Sequence, residues 1–244
     1  MGISNCCAVV GYGSDINPVF NLIKQARVDE GRDQLMTGSE LEHPIPKALA
    51  DALRLFNGTL EVVLTRLGDM NVLPFLHVTL AFMHHLSFYP EAMSYLAPGY
   101  PWSKTAEMLN TLIGTPSHHG RIERQEFPGT EKGDAARPLP EDYAMRGLVW
   151  ADKYFPAEWF SDDKIDDDEK YFEVASMTET RRERVLYLGC RIAARGGGWL
   201  QYDPTTHRFG GSSPHSFKDE PLTPAPNKLT DYDELPDAVA NTQV

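Results

Sequence analysis

Three histidines in one apolar run, His77, His84 and His85, are the first residues whose type suggests chemistry. Imidazoles hold zinc when a carboxylate or thiolate shares their helical face. No such group falls within the run, so core or near-surface histidines are expected. His118-His119 sits among polar residues and offers no third ligand. The acidic run Asp162, Asp163, Asp166, Asp167, Asp168 and Glu169 has enough charge for calcium. It lacks the alternate spacing, central glycine and closing glutamate of a calcium loop. Two-metal chemistry would draw acids from separate strands rather than one run, so a solvated loop is expected. Gly11-Tyr12-Gly13 has two of the three glycines of a dinucleotide loop and no clear strand before it, which reads as a turn. Neither a Gly-x-Ser-x-Gly elbow nor a Walker loop occurs. Cys190 falls mid-helix among apolar neighbours. The expectation is a non-enzyme with no catalytic residues, no metal and no cofactor.

Two segments carry binding chemistry instead. At about 100° per residue, Arg181, Arg184, Arg191 and Arg195 fall on one helical stripe. Val185, Gly189, Ile192 and Ala193 form the adjacent apolar face. Such a stripe meets phosphates or an acidic partner; a solvated face, or pairing with the acidic run before it, is the plainer alternative. The second segment is dense in aromatics. It reads Leu139-Pro140-Glu141-Asp142-Tyr143-Ala144-Met145-Arg146-Gly147, then Trp150, then Tyr154-Phe155-Pro156-Ala157-Glu158-Trp159-Phe160. Glu141 and Asp142 suit the positive end of a helix. Arg146 can pair with them, and Gly147 permits a tight bend. Trp150, Phe155, Trp159 and Phe160 call for burial of ~150–250 Å² each. This strap is either packed on the helices or part of a partner or ligand groove.

The elements that position these residues are mostly helical. Pro18 and Pro46 each stand where a helix opens, ahead of apolar residues at helical spacing. Leu73 to Phe88 is apolar nearly all round, the pattern of a buried helix. Trp102, Ala106, Leu109, Leu112 and Ile113 mark another amphipathic helix. Residues 115–138 read as a long surface loop. Ser176-Met177-Thr178-Glu179 has the form of a capping box, opening a helix that runs to about Arg195, where Gly196-Gly197-Gly198 ends it. Trp199 to Phe209 reads as a short hairpin or extended strand. The expected fold is all-α, a tetratricopeptide-like α-solenoid of stacked helical hairpins, over residues 1–211. Residues 212–244, rich in proline and with two lysines against six acids, are expected to be a disordered acidic tail.

Bulk composition limits the partners. The 244 residues carry 23 Lys+Arg against 35 Asp+Glu, a net charge of −12. Such a chain repels phosphate backbones as a whole, so any nucleic-acid contact must be local. Three cysteines, Cys6, Cys7 and Cys190, are an odd count without framework spacing and point to reduced thiols. No run reaches the ~18–20 apolar residues of a membrane span. Met1-Gly2-Ile3-Ser4-Asn5-Cys6 resembles an N-myristoylation start, except that Cys6 stands where Ser or Thr is wanted. Lipid on Gly2, Cys6 or Cys7 is one reading; the opening of a buried helix is the other. Thr115-Pro116, Ser213-Pro214 and Thr223-Pro224 are candidate phosphorylation sites.

The strap also carries a resemblance. Leu139-Pro140-Glu141-Asp142-x-x-x-Arg146-Gly147, with Trp150, Tyr154-Phe155-Pro156 and Trp159-Phe160, resembles the signature of the Est/Smg family in its fungal form. That family comprises telomerase-associated and nonsense-mediated-decay proteins. Asn17-Pro18 with Leu22, His43-Pro44-Ile45-Pro46-Lys47-Ala48, Leu73-Pro74-Phe75 and Pro101-Trp102 with Leu109-Asn110-x-Leu112 are similar to its weaker elements. The resemblance spans roughly residues 8–210 and matches the helical DNA/RNA-binding domain. The family's 14-3-3-like and tetratricopeptide reader and its PIN nuclease lie outside the matching stretch. The resemblance implies a scaffold of RNA surveillance or telomere maintenance, in nucleus or cytoplasm, with protein partners bound through the strap. Direct binding of single-stranded RNA or DNA through the arginine stripe, and a divergent paralogue without the family function, remain alternatives. No membrane or small-molecule substrate is expected.

Overall fold

The apolar run from Leu73 to Leu86 requires cover on every side, and the rest of the chain supplies it. The computed structural model describes residues 1–29, 45–114, 119–129, 137–161 and 173–212. The acidic run at 162–170, the Ser-Pro and Thr-Pro sites, His118, the His43-Pro44 step, much of the 115–138 loop and the tail from 213 lie outside them. In chain order the helices are α1 (Gly2–Val9), α2 (Pro18–Asp29), α3 (Lys47–Leu64), α4 (Leu73–Leu86), α5 (Pro90–Met93), α6 (Trp102–Leu112), α7 (His119–Ile122), α8 (Pro140–Met145) and α9 (Ser176–Ala194). Strands β1 (Leu200–Asp203) and β2 (Arg208–Gly211) form an antiparallel hairpin, with Leu200 opposite Gly211 and Asp203 opposite Arg208. Gly11–Gly13 is a tight helical turn.

Helix α4 is the axis of the core. Only Pro74, Phe75 and His84 escape full burial along its length. It packs most extensively on α9, and also on α1, α5 and α8. This overturns the expected solenoid. In a solenoid each hairpin touches only its neighbours in the stack. Here the chain is mainly helical with a two-stranded antiparallel sheet, and no tetratricopeptide repeat is seen among the described residues. The helix at the far end of the chain closes on the one in the middle because a helix apolar on all sides cannot be satisfied by one neighbour.

Two local expectations change as well. Ser176 does not cap α9: Ala175 holds that position without a side-chain bond. The 119–129 part of the expected surface loop is folded in, with α7 against α9 and Ile122 buried. Gly2 is buried under Val78, whose Cγ1 would lie 3.3 Å from an added Cβ, and Cys6 is fully buried. No helix of the described residues is long and apolar enough to cross a membrane.

Candidate functional site

The strongest concentration of charge inside the protein is where α8 meets α4 and α9. Pro140 opens α8, where its missing N–H costs nothing. The backbone N–H of Leu139 donates to Asp142 Oδ2 at 3.0 Å. The Trp159 indole donates to the same oxygen at 3.2 Å. One buried carboxylate therefore ties the entry of the strap to its exit.

Glu141, one residue earlier, faces α9 and α4. Arg181 grips it with two bonds, Nε to Oε1 at 2.6 Å and Nη2 to Oε2 at 2.9 Å. This fork-to-carboxylate geometry is the strong form of an ion pair. Arg181 Nη2 also reaches Glu173 at 2.8 Å. His77 lies on the other side, its Nδ1 3.1 Å from Glu141 Oε1 and its Nε2 2.7 Å from the Tyr154 hydroxyl. A carboxylate can only accept, so Nδ1–H donates to Glu141, and in that tautomer of a neutral ring Nε2 accepts from the Tyr154 hydroxyl. Burial alone would raise the Glu141 carboxyl, but the bonds from His77 and Arg181 outweigh it and hold it down at about 2. Burial pushes the Tyr154 phenol well above its ordinary value.

Arg184, fully buried, is held differently. Its Nε donates to the Pro128 carbonyl at 2.9 Å. Its guanidinium lies over the Phe127 ring at 3.8 Å and the Trp159 ring at 4.9 Å. Asp142 stands 3.7 Å from Nη1. Neither Nη1 nor Nη2 has a hydrogen-bond partner among the described residues. Aromatic faces and one nearby carboxylate thus compensate this charge.

The arginine stripe is accordingly not a solvent-facing row. Arg181 and Arg184 belong to the buried cluster. Arg191 donates to the Glu123 carbonyl at 2.9 Å and lies over the Tyr187 ring. Arg195 alone stays exposed, 3.4 Å above the Phe88 ring. A helical wheel locates a stripe but cannot say that acids from other elements cover it.

The strap divides in two. Glu141, Asp142, Trp150 and Trp159 point inward and are buried. Trp150 meets Phe82 of α4 edge-on at 5.6 Å. Phe155 is half-buried between Tyr154, Phe127 and Phe160. Gly147 takes φ +81°, the left-handed turn that glycine allows, and Pro156 is exposed. Arg146 does not pair with Glu141 or Asp142, because Arg181 has taken Glu141 and Asp142 faces inward. Its exposed guanidinium lies 5.2 Å from the centre of the Phe160 ring, and Tyr143 meets that ring at 5.6 Å.

The sequence alone did not single out His77, Tyr154 or Phe127 as members of this cluster. The one signal was a histidine embedded in an apolar helix, whose carboxylate partner comes from 64 residues away. No group of three metal-ligating side chains is arranged to hold an ion among the described residues. The surface grooves along α3 and between α6 and β2 are lined by other residues. What the cluster does chemically is pair its own charges. Family models, curated proteins and solved structures gave no match to this chain.

Proposed function

We propose that the chain is a non-catalytic binding module that offers the outer rim of the strap to a protein partner. The observation that carries this reading is the division of the strap. Its acids and indoles are buried inside, while Arg146 lies on Phe160 at the surface with no ion pair among the described residues. Arginine stacked on an aromatic is a frequent interface anchor. The resemblance of residues 139–160 to the Est/Smg signature supports partners from RNA-decay or telomere complexes, in nucleus or cytoplasm. The test compares wild type with Arg146→Ala by affinity capture and mass spectrometry. Loss of a defined set of partners from a folded variant is expected; recovery of the same set would make the rim merely structural.

One observation favours a second reading, contact with single-stranded RNA or DNA. Arg195 covers a partly exposed Phe88, which pairs a cation with a ring on which a base can stack. This route does not use Arg181 or Arg184. Binding to a single-stranded oligonucleotide that weakens with salt and is lost in Arg195→Ala supports it. No binding at low salt removes it.

A further inference from the structure

Helix α3 buries one face through Leu49, Phe56, Leu60 and Leu64 and leaves a second apolar row outside. Leu55 and Val62 are 56% and 67% exposed. Seven residues apart, they fall on one line of the helix. Gly58 lies between them, and a Cβ built there meets nothing within 4 Å. Together with Met1, Thr59 and Val63, these residues line an open groove of about 880 Å³. Seven-residue spacing is that of a two-helix seam. A residue without a side chain at its centre lets a second backbone come close.

The charges along the row say which helix belongs there. Arg54 and Glu61 flank the row on the same side, with side chains 83% and 53% exposed. When two copies of α3 cross antiparallel at Gly58, each residue faces the one equally far on the other side of Gly58. Arg54 then comes to within one residue of the second copy's Glu61, and Glu61 to within one residue of the second copy's Arg54. Leu55 and Val62 of one copy interleave with Val62 and Leu55 of the other. Asp51 faces the end of the second copy's α3, where Arg66 follows. A parallel arrangement, with its two-fold along the seam, would instead put Arg54 and Glu61 of the two copies on opposite flanks and leave both cross-pairs unmade. The pairs these groups make within one chain, Arg54 with Asp51 and Glu61 with Lys104, are at the surface. Such pairs hold weakly and exchange readily.

The geometry points to an isologous dimer in which the outer face of α3 packs antiparallel on the same face of a second copy. The surface is its own complement in both shape and sign, as a two-fold interface requires. The α3–α3 seam, residues 52–64 about Gly58, runs about 20 Å at 1.5 Å per residue. That is the small end of interface sizes, so the dimer depends on concentration. The net charge of −12 opposes association at low salt. At 0.15 M the screening length falls to about 8 Å, and the repulsion weakens. This inference does not depend on the reading of the strap.

Sedimentation of the full chain at that salt, over a range of concentrations, tests it. The mass is expected to rise from 27.4 kDa toward twice that value. Leu55→Arg is expected to hold the chain as a monomer with an unchanged circular dichroism spectrum. Arg54→Glu weakens the dimer at least tenfold, and Arg54→Glu with Glu61→Arg restores it, because the double swap rebuilds both cross-pairs. Gly58→Cys joins two copies under mild oxidation. A single 27.4 kDa species at the highest soluble concentration overturns the proposal. So does a dimer that Arg54→Glu leaves intact, or a double swap that fails to restore one.

Discussion

Glu141 concentrates the argument at the level of single residues. It is the one carboxylate that Arg181 and His77 share, so its loss leaves a buried cation and a buried imidazole short of a partner. Glu141→Gln is expected to destabilise the protein by about 3 kcal/mol, the low end for breaking a buried pair. It stays at the low end because Glu173 still reaches Arg181. The same group makes stability depend on pH. Its folded pKa, about 2, lies below its ordinary value. The unfolded chain therefore binds this proton first, and stability is lost as pH falls from about 4.5 toward 2. His84 and His85 act earlier in an acid titration. Burial, reinforced by nearby arginines, lowers them to about 4 and about 3. Their contribution is present above about 6.5 and declines as pH falls through that range. Denaturant midpoints between pH 7 and pH 3 check this. In Glu141→Gln the decline above pH 5 should persist and the steeper decline below it should flatten. A variant that tracks wild type through the whole range contradicts the role given to Glu141.

Between elements, α9 lies close against α6 and the hairpin. A Cβ at Gly189 would lie 2.8 Å from Leu109 Cδ1 and 3.1 Å from Phe209 Cε1. Asn110 fixes the hairpin there by bonding both the N–H and the carbonyl of Phe209 at 2.9 Å. Gly189→Val overfills this contact and is expected to cost about 1–3 kcal/mol, read as a thermal shift of roughly 5 °C. An unchanged melt would mean that α6 yields freely. Elements were the most legible part of the sequence. Pro18, Pro46 and Trp102 stand within a residue of where α2, α3 and α6 begin, and Gly196 follows the end of α9 closely. Proline and glycine act through their own backbones, so their signals survive without tertiary context. What sequence could not reveal depends on distant partners. The arginine stripe was visible as a period, but Glu141, which covers Arg181, lies 40 residues away. The 119–129 segment has no period, yet Pro128 and Phe127 are part of the setting of Arg184.

At the scale of the whole molecule, the chain turns the acids and indoles of its strongest motif inward and leaves Arg146 on the rim. The buried cluster joins α4, α8 and α9, three elements far apart in sequence, and so acts on the fold as one unit. The repeat-stack expectation failed at this scale for the same reason. Local pattern showed helices, while the all-round apolar character of α4 demanded closure around it rather than stacking. The central claim is therefore a separation of roles within the strap, Glu141 holding the structure and Arg146 serving the partner. Thermal melting and partner capture measured side by side on Arg146→Ala and Glu141→Gln test it most directly. Glu141→Gln should melt roughly 10 °C lower, as about 3 kcal/mol implies for a chain of this size. Arg146→Ala should melt with wild type yet lose the captured partners. If Arg146→Ala melts like Glu141→Gln, or keeps every partner, the separation is contradicted.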